Sequence, residues 1–179
     1  MSHDASIPVV AFEGDRRLAA GPLAEIARIV AACDDQSTVR IFTQDGARPI
    51  DLDLRGTADD VVARLTIAPP KGRGRPKLGV VAREVTLLPR HWDWLAKQPG
   101  GASVALRKLV EAAQRDPREE ARAGREAAFR FLTTMAGDRP GYEEAMRALF
   151  AGEREAFDGL AAEWPADVRD HGARLGWPS

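Results

Sequence analysis

"VVAFEGDRRLAAG", residues 9–21, holds an apolar run, a Gly14-Asp15 pair, and a second run containing Leu18, Ala19 and Ala20. Glycine takes the positive φ that a tight reversal needs, so this spacing predicts a β-hairpin. Pro22 then opens a helix, because its fixed φ suits a first turn. Leu23, Ile26, Ala27 and Val30 recur at i, i+3, i+4 and i+7, which places them on one helix face. In "STVRIFT", Val39 and Ile41 share one face of a strand, and Asp45-Gly46 is a hairpin-closing dipeptide. "PIDLDL" alternates, with Ile50, Leu52 and Leu54 inward and Asp51 and Asp53 outward. Thr57 and Asp60 form a capping-box start, with Val61, Val62 and Leu65 on the apolar side of the helix. The order is ββαββα, most simply one antiparallel sheet with two helices on one face.

The fold class that follows is α+β, in four segments. Residues 1–67 form the small α+β domain, and 68–79 a basic Pro/Gly linker. Residues 80–116 form a strand–helix–helix unit, and 117–179 a helical C-terminal region. In the third segment, "VVAREVTLL" reads as a strand stopped by Pro89. "RHWDWLAKQ" is a short helix ended by Pro99-Gly100-Gly101. Ser103 or Gly101 then caps a helix with Leu106, Leu109, Val110 and Ala113 on one face. In the last segment Pro117, Glu119 and Glu120 favour a helix start. Phe129, Leu132, Thr133 and Ala136 make a stripe ended by Gly137. In "GDRPGYEEA", Asp138 or Gly141 caps the next helix. Leu149, Phe150, Phe157, Leu160, Trp164 and Val168 are the expected core of the remaining helices.

Composition narrows the function. The chain has 179 residues, 44% of them hydrophobic, which suffices for a packed core. No run of about 18 apolar residues predicts a membrane span, and the N-terminus lacks the pattern of a secretory signal. Cys33 is the single cysteine and permits no internal disulfide, which fits a reducing, cytoplasmic setting. The net charge of −1 conceals a pattern. Residues 1–66 carry seven Lys/Arg against eleven Asp/Glu, and residues 119–179 carry eight against twelve. Residues 67–118 carry eleven against four, a net charge of +7. Such asymmetry points to a polyanionic partner or to internal charge pairing.

"KGRGRPKLG", residues 71–79, lies at the basic extreme. Its Arg73-Gly74-Arg75-Pro76 core resembles the AT-hook, which binds A·T-rich minor grooves. The narrow A-tract groove has a negative potential that draws in arginines. Glycine lets the backbone approach the groove floor, and proline fixes an extended path. The resemblance implies Arg73 and Arg75 in the groove, with Lys71 and Lys77 on flanking phosphates. The alternatives are a solvated basic linker or charge pairing with the acidic thirds of the chain.

"REVTLLPRHWDWLAKQPGGASVALRKLVEAA" resembles the ribbon–helix–helix family of bacterial DNA-binding proteins. That resemblance implies a homodimer whose paired strands lie in the major groove. At the groove-facing positions this sequence has Arg83, Val85 and Leu87, of which only Arg83 can hydrogen-bond a base or phosphate. Arg90 adds a further phosphate contact. Its glycine turn is longer than the family's, and its second helix is about one residue out of step. The strand could instead pair with a sheet elsewhere in the same chain.

Across nearly the whole chain, the strings "DLDLRGT", "GRGRPKLG", "REVTLLPRHWDWLA", "QPGGAS", "MAGDRPGYEEA" and "WPADVRDH" resemble an uncharacterised bacterial family, a domain of unknown function. That family brings no established activity.

No catalytic constellation is readable. His3, His91 and His171 lack metal-site spacing, and Asp170-His171 has no accompanying nucleophile motif. Asp51, Asp53 and Arg55 on one strand fit a charged outward face better than a paired-carboxylate site. Trp92 and Trp94 point to different helix faces, with burial in a dimer or against the C-terminal helices favoured over stacking on bases. The expectation is a non-enzymatic DNA-binding protein with no cofactor. It would be a regulator or nucleoid-type protein acting on A·T-rich or unspecified sequence. The alternative is a protein-interaction adaptor.

Overall fold

The computed structural model describes residues 3–65 and 83–178. Two compact units emerge, Met1–Ala68 with Ala121–Ser179, and Pro69–Glu120. The elements in chain order are strands β1 (Pro8–Glu13) and β2 (Arg16–Pro22), helix α1 (Leu23–Ala31), strands β3 (Val39–Thr43) and β4 (Pro49–Ile50), and helix α2 (Ala58–Ala63). Six helices follow: α3 (Pro89–Ala96), α4 (Gly101–Gln114), α5 (Pro117–Ala136), α6 (Tyr142–Ala151), α7 (Arg154–Leu160) and α8 (Ala166–Gly176). The class is α+β, as expected.

The first unit is built on an antiparallel sheet of order β2-β1-β3-β4. Gly14, at φ 54°, turns β1 into β2 through a two-residue loop, so the opening stretch is the predicted hairpin. Its register runs Ala11 to Ala19 and then Phe12 to Arg17, so β2 bulges at Leu18. The ββαββα order and the buried face Leu23, Ile26, Ala27 and Val30 of α1 also stand as read. Thr57 and Asp60 form a complete capping box on α2.

Helices cover both faces of the sheet, where the sequence reading put them on one. Val9, Ala11, Ile41 and Ile50 face α1, Val61 and Leu65. Val10, Phe12 and Phe42 point the other way, into α5, α6, α7 and α8. Alternation in a strand sends neighbours to opposite faces, so a run of four buried residues, Val9 to Phe12, requires cover on both. The first and last sequence segments therefore share one core. Asp167 of α8 accepts a hydrogen bond from the Arg17 backbone N–H at 2.8 Å, and Asp15 pairs with Arg139 at 2.6 Å.

Several side chains depart from the reading. The α5 stripe is Ala128, Phe131, Leu132 and Met135, one turn-step away from Phe129, which is exposed. Phe150 and Leu160 are exposed as well, whereas Leu149, Phe157, Trp164 and Val168 are core. Phe129 and Phe150 instead pair with each other on the surface, with ring centroids 5.5 Å apart. Thr133 bonds the Tyr142 hydroxyl at 2.7 Å. The strand expected over "PIDLDL" ends at Ile50. Leu52 and Leu54 still turn inward and Asp51 and Asp53 outward, so alternation survives where ladder hydrogen bonding does not.

Candidate nucleic-acid interface

The second unit carries the basic third of the sequence. Lys71, Arg73, Arg75 and Lys77 lie outside the described residues. Arg83 and Arg90 are described, and both are exposed. Residues 83–88 form no strand within the chain. They thus pair with no sheet among the described residues of the same chain, and Leu88, extended at φ −67° and ψ 149°, is the N-cap of α3. Pro89 then occupies the first helical turn, where its missing N–H costs nothing.

The helix pair is the one predicted. α3 ends after Ala96, and Gly100 and Gly101 both take positive φ, 84° and 75°. Gly100, and not Ser103 or Gly101, is the N-cap of α4. A Cβ there would lie 3.1 Å from the Val104 side chain in a left-handed backbone, so glycine is needed twice over.

Little of this hairpin is buried. Among residues 83–116 only Leu95 and Ala105 are buried. Trp92, Trp94, Leu109 and Val110 are 41%, 52%, 50% and 55% exposed. Neither tryptophan is enclosed within the single chain. Two shallow hollows of about 230 and 190 Å³ flank the Trp94–Leu109 ridge. His91 lines the first of them, and among the described residues no group of His, Cys, Asp or Glu could hold a metal ion.

The charges here are arranged differently from those of the first unit. There, most arginines are paired with carboxylates: Arg16 with Glu13, Arg139 with Asp15, Arg147 with Glu144, Arg154 with Asp158. Arg83, Arg90, Lys97, Arg107, Lys108 and Arg115 take part in no ion pair among the described residues. Arg107 spends its Nε–H on the Ser103 carbonyl, one turn back on the same helix.

The other residues singled out in the sequence have structural surroundings. Asp53 accepts from the Arg55 backbone and guanidinium and lies 3.7 Å from Arg64, so hydrogen bonding to Arg55 holds its carboxyl well below the usual range. It is bound into a local clamp and is not paired with Asp51. Asp170 pairs with Arg169, while His171 turns into the core, so the two do not orient each other. Cys33 is half-buried, and that burial pushes its thiol pKa up.

A two-sided α+β core with a basic, under-buried helical hairpin defines the class of protein. Residues 8–176 match a bacterial family described as "Uncharacterized protein conserved in bacteria (DUF2239)", and the chain belongs to that family. No curated protein and no solved structure matches the chain significantly. No helix among the described residues is long and apolar enough to cross a membrane.

Proposed function

We propose that this protein is a non-enzymatic DNA-binding protein of the bacterial cytoplasm, a regulator or nucleoid-type protein. The observation that supports it is the set of cations on the second unit that take part in no ion pair among the described residues, where most described arginines of the first unit are paired. A cation without a carboxylate partner is free to neutralise a phosphate and release its counterion. On this reading Arg83 and Arg90 contact phosphates beside Lys71, Arg73, Arg75 and Lys77, with Arg73 and Arg75 in the minor groove of A·T-rich DNA. A homodimer formed through the apolar ridge of α3 and α4 presents two such arms, and tethering multiplies weak individual binding.

The exposed ridge of Trp94 and Leu109 also favours a second reading, a protein-interaction adaptor whose basic segment docks on an acidic surface. Fluorescence anisotropy against labelled A·T-rich and G·C-rich duplexes over a salt series separates the two. The DNA reading expects tight binding that falls steeply with salt, favours A·T and is lost in Arg73→Ala/Arg75→Ala. Absence of binding at low salt would overturn it. Salt-independent capture of one protein partner would support the adaptor.

A further inference from the structure

The first unit contains an opening that the DNA-binding reading does not use. β3 pairs with β1 along its whole length, from Val39 opposite Glu13 to Thr43 opposite Val9. On its other side it pairs with β4 only at Ile41 and Phe42. Beyond Ile50 the chain peels away from β3, and a cleft of about 610 Å³ opens between the two. Its walls are apolar, with Val30, Val39, Ile41, Ile50, Leu52 and Leu54 among them. That volume and lining are typical of small-molecule sites, in which a few polar groups fix the ligand's orientation.

An unpaired strand edge ordinarily invites an added strand. Here that edge is already closed. The Val39 N–H donates to the Gln36 carbonyl, and the Val39 carbonyl accepts from Arg40 Nη1 at 3.1 Å. A peptide backbone would find no ladder partners at Val39, so the cleft suits a compact ligand and not a strand.

Two charged groups line the opening, Arg40 and Asp51. Continuing the Ile41–Ile50 register by one step would set them opposite each other, yet no ion pair joins them. Arg40 is steadied by its Nη1, which donates to the Ser37 and Val39 carbonyls. Among the described residues its Nε and Nη2 have no partner, which leaves their hydrogens for a carboxylate, in the fork geometry that binds one bidentately. Asp51 makes no hydrogen bond among the described residues, and as a carboxylate it only accepts. We propose that the cleft between β3 and residues 51–54 binds a small zwitterion with an apolar body, of the class of apolar α-amino acids. Arg40 holds its carboxylate, Asp51 its ammonium, and the apolar walls its side chain. A ligand with one charge leaves the opposite protein charge unmatched, so both ends are recognised.

The test uses the full-length protein and three probes: phenylalanine, 3-phenylpropanoate, which lacks the ammonium, and phenethylamine, which lacks the carboxylate. Binding is followed by amide chemical shifts in two-dimensional NMR, with affinities from titration. Phenylalanine is expected to shift amides in 36–54, with the other two probes weaker by about tenfold or more. Arg40→Ala and Asp51→Asn, both at exposed side chains, are each expected to weaken phenylalanine binding with the spectrum otherwise intact. Equal binding of all three probes, shifts confined to other regions, or no shift at millimolar phenylalanine would each overturn the proposal. None of these outcomes depends on whether the protein binds DNA.

Discussion

The imidazole of His171 lies 4.6 Å from the ring of Phe131 and 5.4 Å from that of Phe12, edge-on to both. Phe12 belongs to the first hairpin, Phe131 to α5 and His171 to the last helix, so three distant stretches of chain meet at one point. Phe12 and Phe131 themselves are 5.1 Å apart. The imidazole Nε2 is buried and has no hydrogen-bond partner among the described residues. A group so placed is held neutral: burial first, then the Arg174 and Arg17 charges, lowers its pKa from 6.5 to about 4.

That arrangement makes the fold acid-sensitive in a defined window. The folded state keeps His171 neutral while the unfolded chain binds a proton below about pH 6.5. The stability is therefore fully present above 6.5 and is lost as pH falls towards 4, by roughly 3 kcal/mol at most. Urea denaturation at several pH values, compared with His171→Leu, reads this directly. The variant is expected to show a flatter profile between pH 6.5 and 4, since an apolar side chain of similar size suits two aromatic neighbours. Asp53 contributes in a separate window, because the stability that its lowered pKa gives is present above the ordinary carboxylate value of 3.8 and is lost only as pH falls below it. Parallel pH profiles of the two proteins above pH 4 would contradict the assignment to His171.

Gly124 of α5 reports how closely that helix approaches the end of α8. A Cβ on it would stand 2.6 Å from the Leu175 carbonyl oxygen, a backbone atom that no rotamer change can move. Alanine at a helix interior gains about 1 kcal/mol of propensity over glycine. Overpacking costs about 1–3 kcal/mol, and here the clash is with backbone, so the sign is expected to be destabilising. Gly159→Ala in α7, where a Cβ meets nothing within 4 Å, is the control and is expected to be neutral or stabilising. Thermal unfolding of both variants checks it. A Gly124→Ala protein as stable as the control would show that the two helices move apart freely.

Local chemistry in the sequence read well, and tertiary cover did not. The Gly14-Asp15 turn, the α1 face and the Thr57–Asp60 box depend on residues within a few positions of each other, and each is as expected. The four-residue run Val9 to Phe12 carried the sign of a strand buried on both faces, but only the helices beyond residue 120 reveal what covers the second face. Leu52 and Leu54 kept the alternation without the ladder, because side-chain burial sets the alternation and a partner strand sets the hydrogen bonds. Phe129 and Phe150 fit helical spacing as well as their buried neighbours do, and periodicity cannot choose between adjacent stripes. Of the β3 cleft, the sequence showed the charges of Asp51 and Asp53 and nothing of the opening, which arises where β4 stops pairing. The cations of the second unit were visible as composition, but their lack of carboxylate partners among the described residues was not.

Self-association through the helical hairpin predicts a particular sensitivity. Trp94 and Leu109 line both hollows of the ridge, so a charge at either should disrupt a facing copy. Trp94→Lys and Leu109→Glu are expected to convert a dimer to a monomer in analytical ultracentrifugation, with helical circular dichroism retained. Both side chains are about half exposed, so the folded chain loses little of its own packing. A wild-type protein that sediments as a monomer across the micromolar range would remove the dimer from the proposed function.

The salt dependence of DNA binding can tell phosphate contacts from bulk charge. Arg107 and Lys108 of α4 are exposed and outside any ion pair among the described residues, whereas Arg147 of α6 lies between Glu143 and Glu144 at 3.8 and 3.1 Å. Each phosphate contact contributes about −0.9 to the slope of log K against log salt. If α4 faces the duplex, Arg107→Ala/Lys108→Ala is expected to make that slope shallower by about 2 and to weaken binding equally on A·T-rich and G·C-rich DNA. Arg147→Ala removes a cation already paired within the protein and is expected to leave the slope unchanged. Equal effects of the two substitutions would mean that net charge governs binding, and the second unit would lose its claim to be the interface.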